Sequence, residues 1–116
     1  MAVIAAVVTA PSPSTGALLH TITWDQINQD DTGGTTPLIG GIKKGTITFA
    51  GTYDSGTWTA EGSIDGTNYS PMYDRAGTIM ASTVAISFDF VTAVSHMRIA
   101  QSAGTTSDVN VNVAYG

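Results

Sequence analysis

Residues 46–64 read Thr46-Ile47-Thr48-Phe49-Ala50-Gly51-Thr52-Tyr53-Asp54-Ser55-Gly56-Thr57-Trp58-Thr59-Ala60-Glu61-Gly62-Ser63-Ile64, and their period is two. Ile47, Phe49, Gly51 and Tyr53 alternate with threonines, and Trp58, Ala60, Gly62 and Ile64 alternate with Thr57, Thr59, Glu61 and Ser63. Successive side chains of a strand point to opposite faces, so this repeat is what a sheet with one buried face requires. Asp54-Ser55-Gly56 between the runs has the composition of a turn, and the stretch is expected to be a hairpin.

The same period extends outward. Val84, Ile86, Phe88 and Phe90 stand at spacing two, Met97 and Ile99 alternate with His96 and Arg98, and Val109, Val111, Val113 and Tyr115 alternate with Asp108, Asn110 and Asn112. Asp65-Gly66 is a turn, and Pro71 limits the short run after Asn68 to an edge or irregular strand; Met72 and Tyr73 are expected to pack there. Upstream, Leu18, His20, Ile22 and Trp24 alternate, whereas residues 26–45 carry Asp30-Asp31-Thr32-Gly33-Gly34 and Gly40-Gly41 with little to bury. That segment is expected to be one long loop, of the kind that is functional or ordered by a partner. No segment of ten or more residues has helical periodicity, so the reading is an all-β, antiparallel sandwich or jelly-roll-like domain over 17–116, preceded by an extended N-terminal arm over 1–16. The apolar run Ala2–Val8 lacks a basic flank and is read as part of that arm or a first strand rather than as a signal peptide.

Composition narrows the function. In 116 residues, 42% are hydrophobic, which supports one modest core, while charged residues make up only 11%, against about 25% in an ordinary soluble domain. With 18 Thr and 10 Ser, the surface is mostly neutral hydroxyl and amide, as suits a protein covered by neighbours in an assembly. Four Lys and Arg against nine Asp and Glu, with only Lys43-Lys44 adjacent, disfavour a nucleic-acid groove or an anionic membrane surface. The absence of Cys excludes disulfides, thiolate metal sites and a Cys nucleophile, and no run approaches 18 consecutive apolar residues.

Catalytic chemistry is not legible. His20 and His96 are the only histidines; His20 shares a face with Leu18 and Ile22 and reads as a hydrogen-bonded core or edge residue, and His96 reads as solvated or interfacial. Asp30 and Asp31 sit beside glycines, where Asp favours turns, and whether they hold a cation is left open. The glycines of 40–45 lack the phosphate-binding Lys and precede a strand, no Gly-x-Ser-x-Gly elbow occurs, and Glu61 is expected to point outward without a paired carboxylate. No enzyme, metal or cofactor is expected. Of the aromatics, Phe49, Tyr53 and Trp58 lie on the apolar side and read as core, whereas Tyr69 and Tyr73 beside turns are the better ligand or interface candidates.

The stretch Gly56–Tyr69 with Ser70-Pro71-Met72 resembles the strand–turn–strand unit of small β-sandwich virion proteins of tailed bacteriophages. In those proteins a Ser-x-Asp-Gly-x-x-aromatic turn is followed by an Arg-bearing strand and a terminal Asp-Val-x-Val-x-Val strand, here His96-Met97-Arg98-Ile99-Ala100 and Asp108-Val109-Asn110-Val111-Asn112-Val113. The resemblance covers about residues 46–116. The turn also occurs in discoidin-like carbohydrate-binding modules, and Tyr69 stands where Trp is usual. The resemblance implies a head decoration (cement) protein, often a trimer, that binds the major capsid protein on the capsid exterior and carries no catalytic residues. On that reading Val3, Ile4, Val7 and Val8 of the arm add to a neighbour's sheet edge, and Leu38, Ile39, Tyr69 and Tyr73 are further partner contacts. The alternative is a carbohydrate-binding module or receptor-binding tail component using Tyr69 and Tyr73 with Asp65 and Asn68.

Overall fold

The computed structural model describes residues 3–12, 19–28, 31–52, 56–102 and 108–116. Among them the alternating runs form eleven strands and no helix: β1 Val3–Ile4, β2 Val7–Thr9, β3 His20–Asn28, β4 Thr32–Pro37, β5 Lys43–Thr52, β6 Thr57–Ser63, β7 Ser70–Pro71, β8 Ala81–Ser82, β9 Ile86–Thr92, β10 His96–Ser102 and β11 Asp108–Tyr115. They make two sheets, one ordered β1-β4-β10-β6-β7 with β8 also on β6, the other β2-β3-β11-β5-β9. Every pairing is antiparallel except β1 on β4. The fold is the expected all-β sandwich.

The two halves of the decisive stretch do not pair with each other. β5 lies between β11 and β9 in the second sheet, and β6 lies beside β10 in the first, so the chain passes between sheets where a hairpin was expected. Tyr53 and the expected turn at 54–55 lie outside the described residues. Alternation dictates which face is buried but not which strand is the neighbour. Phe49 and Trp58 satisfy it from opposite sheets, both with no exposed surface.

The inner faces interdigitate in one core. Ile22, Trp24 and Ile27 of β3, Ile47 and Phe49 of β5, and Val109 and Val111 of β11 face Trp58, Ala60, Met97 and Ile99 of the first sheet, and all are fully buried. Burying side chains of this size contributes about 1.5–3 kcal/mol each. Phe88 meets Phe49 edge-on, with ring centroids 6.1 Å apart, and His20 stacks on Tyr115 at 4.9 Å as a sheet-end residue. Met72 is buried as expected, but Tyr73 turns outward, Ile64 is exposed beyond the end of β6, and Val84 is exposed ahead of β9. Pro71 sits on the short edge strand β7, where its missing N–H leaves no ladder bond unmade.

The segment 26–45 is not one loop. It holds the end of β3, all of β4 and the start of β5, and Leu38 within it is core. Its alternation was hidden by two bulges. Along β3, Trp24 and Ile27 are three apart yet both buried, because they face Val111 and Val109, which are two apart. Along β4, Thr36 and Gly33 stand opposite Met97 and Ile99 in the same way. An extra residue in one strand shifts its phase and erases the period-two signal. The bulges meet across the core, where the Trp24 Nε1–H donates to the Gly34 carbonyl at 2.9 Å.

The arm is built into this frame. β1 pairs with β4, and β2 pairs with β3, so residues 3–9 cross from the edge of one sheet to the edge of the other, with Ile4 and Ala6 packed against the core. This differs from the expected addition to a neighbour's sheet. The chain's own free edges are the nearest acceptors, and the gap between the sheets takes the inward side chains.

Candidate functional site

The turn after β6 carries the first part of the site. Asp65 accepts the backbone N–H groups of Asn68 and Thr67 at 2.9 and 2.8 Å, the Asn68 side-chain amide at 2.8 Å and the Ser63 hydroxyl at 2.8 Å. These bonds, the backbone N–H of Asn68 foremost, hold its carboxyl well below the usual carboxylate range. Ser63 Oγ in turn accepts from the N–H of Gly66 at 2.9 Å. Gly66 has φ of 78°, and a Cβ there would meet the His96 ring at 3.2 Å, so only glycine closes this turn without strain. Asp65 and Asn68, considered above as ligand groups, are therefore spent on fixing the loop.

What the loop fixes is Tyr69. The Arg98 guanidinium lies over its ring, 4.1 Å from the centroid, and Arg98 Nε donates to Glu61 Oε1 at 2.7 Å. The Tyr69 hydroxyl shares a hydrogen bond with Thr35 Oγ1 on β4. Tyr69 is thus braced from β10, β6 and β4 together. Arg98 and Ala100 alternate with the buried Met97 and Ile99, which puts them on the outer face of the first sheet.

Between this loop and β1 runs a trough of about 660 Å³, open at the surface. Its base is the outer side of β10 and the bulged Gly33–Gly34 of β4; Val3 of β1 lines it on one side, Thr67 and Tyr69 on the other. Gly33 is necessary to the base, since a Cβ there would lie 2.8 Å from Ile99 Cβ and 2.9 Å from Trp24 Cδ1. Among the described residues lining it, Arg98 is the only charged one.

A second feature is an apolar end. Leu19, Ile39, Ile42 and Ile64 are 46%, 59%, 66% and 81% exposed. They share one end of the sandwich because the register places the start of β3, the β4–β5 connection and the end of β6 there. Hydrogen bonds from Leu38 N to Ser95 O and from Ser95 N to Ser63 O, both 2.8 Å, and from Ile39 N to the Tyr115 side-chain hydroxyl, 2.9 Å, tie these segments together. Lys43 beside them is buried, its Nζ donating to the Val94 carbonyl at 2.7 Å.

The expected contact residues separate accordingly. Leu38 belongs to the core and is not available to a partner, because its N–H anchors to Ser95 and its side chain fills the end of the sandwich. Ile39 lies in the apolar end, Val3 and Tyr69 line the trough, and Val7 and Val8 are exposed on the edge strand β2. Ile4 is half-buried against the core, and exposed Tyr73 bridges to Ile79 away from the trough. Asp30 lies outside the described residues, Asp31 is half-buried, and the described residues hold no cluster of three or more metal-ligating side chains. Thr35, Arg98 and the Gly33–Gly34 base were not anticipated: the pairing of β4 with β10 that joins them carries no local sequence signal.

No protein-family model matches this chain, and no curated protein matches it. Among solved structures, it is similar to the enzymatically active domain of tailspike protein 4 of bacteriophage CBA120, at 11% identity and a TM-score of 0.35, over 97% of this chain. The chain spans 18% of that protein's length.

Proposed function

We propose that this chain is a non-enzymatic structural protein of a phage virion, seated on the outer surface of the capsid and reinforcing it as a decoration protein. The observation that carries the reading is the apolar end formed by Leu19, Ile39, Ile42 and Ile64. Four large aliphatic side chains gathered at one end leave water only if another surface covers them. Being 46–81% exposed rather than fully so, each contributes at most about 1.5–3 kcal/mol on burial, before ordering costs. A modest contact repeated over a symmetric shell, or shared by a trimer, gains further by multivalency.

Two features of the sequence support the same reading. Residues 46–116 resemble small virion β-sandwiches, and the hydroxyl-rich, charge-poor composition suits a protein packed among copies. The test is cosedimentation with emptied capsids made from the major capsid protein of the same genome. Wild type should pellet with the shells, the double variant Ile39→Asp/Ile42→Asp should stay in the supernatant, and Thr48→Asp, within β5 beyond the apolar end, should pellet. Equal pelleting of all three would refute the assigned surface, and no pelleting of wild type would refute the function.

A further inference from the structure

The trough on the outer face of the first sheet has a chemistry of its own. We propose that it is a binding site for a neutral saccharide. Its volume, about 660 Å³, falls within the roughly 300–1,000 Å³ of small-molecule sites. Its lining combines carbon surface with neutral hydroxyls: Val3, Ala100 and Tyr69 beside Thr32, Thr35 and Thr67. A sugar ring presents the same combination, with C–H faces flanked by hydroxyls that both donate and accept.

Charge selects against the other classes. Arg98 is already paired with Glu61 at 2.7 Å, and the chain carries a net charge of −5, so an anionic ligand finds no surplus of positive charge. A cation finds no carboxylate among the described residues of the lining. One face of Tyr69 is covered by Arg98, which stiffens the ring. The Asp65 turn and the Tyr69–Thr35 bond hold the wall in place before any ligand arrives, which lowers the ordering cost of binding.

The site does not depend on the capsid reading, since a saccharide-binding protein need not sit on a shell. The test is saturation-transfer NMR on the intact chain with maltohexaose, cellohexaose, chitohexaose and mannohexaose in turn, plus an uncharged extended decapeptide of Ser, Thr and Val. At least one oligosaccharide should receive saturation and the decapeptide should not. Ala100→Trp, which fills the trough from the outer side of β10, and Tyr69→Ala should each weaken that binding about tenfold or more. Ala114→Trp on the outer face of the other sheet should leave it unchanged, with thermal unfolding curves showing that all three variants fold. Transfer to none of the oligosaccharides, transfer that survives Ala100→Trp in a folded protein, or transfer to the decapeptide alone would overturn the proposal.

Discussion

Gly33→Ala tests the way the two sheets are locked together beneath the trough. The added methyl carbon would lie 2.8 Å from Ile99 Cβ and 2.9 Å from Trp24 Cδ1, at least about 0.6 Å inside the roughly 3.5–4.0 Å optimum for carbon contacts. Neither neighbour can step aside. Ile99 Cβ is fixed by the β10 backbone, and the Trp24 indole is pinned by its bond to the Gly34 carbonyl at 2.9 Å. Overpacking of this kind costs about 1–3 kcal/mol, which at about 4 °C per kcal/mol lowers Tm by about 4–12 °C. Gly41→Ala is the matched control: nothing lies within 4 Å of its added carbon, so its effect should stay within about 0.5 kcal/mol of zero. Urea and thermal unfolding of both variants measure the contrast. A Gly33→Ala protein as stable as Gly41→Ala would refute the close approach of the sheets at Gly33.

Other perturbations address separate parts of the molecule. Trp24→Phe removes the indole N–H and strands the Gly34 carbonyl, and should destabilise by about 1–3 kcal/mol in urea unfolding. Deleting residues 2–10 strips β1 and β2 and uncovers the core beside Ile4 and Ala6, so the truncated chain should melt well below the full one. Because the folded protein depresses the Asp65 carboxyl, its stabilising effect is present above the unfolded carboxyl value of about 3.9 and is lost as pH falls through the lower folded value. Asp65→Asn should therefore be less stable than wild type near neutrality, with the gap narrowing only below about pH 4. Glu61→Gln should change stability by less than about 1 kcal/mol, since Arg98 is 44% exposed and the pair is partly screened.

Much of the core was legible because alternation speaks directly about faces. Phe49, Trp58, Met97, Ile99 and the valines of β11 were all readable as inward from spacing alone, and all are buried. What alternation omits is partnership, so β5 and β6 read as a hairpin although they belong to different sheets. It also fails at bulges: the extra residues in β3 and β4 broke the period through 26–37, and that stretch read as loop. The site suffered most. Tyr69 was visible as an aromatic beside a turn, but its neighbours Thr35 and Arg98 are 34 and 29 residues distant in sequence and meet it only through the sheet. Asp65 and Asn68 looked like ligand groups because a polar turn and a polar binding loop use the same residues.

The position of β11 bears on how the molecule is made. It follows both of its neighbours in sequence, yet it sits in the middle of its sheet, hydrogen-bonded to β3 on one side and to β5 on the other. A nascent polypeptide leaving the ribosome therefore holds two unmatched edges until residues 108–115 have emerged. The second sheet closes late, as a single long-range event, and such chains fold slowly and are vulnerable to association while they wait.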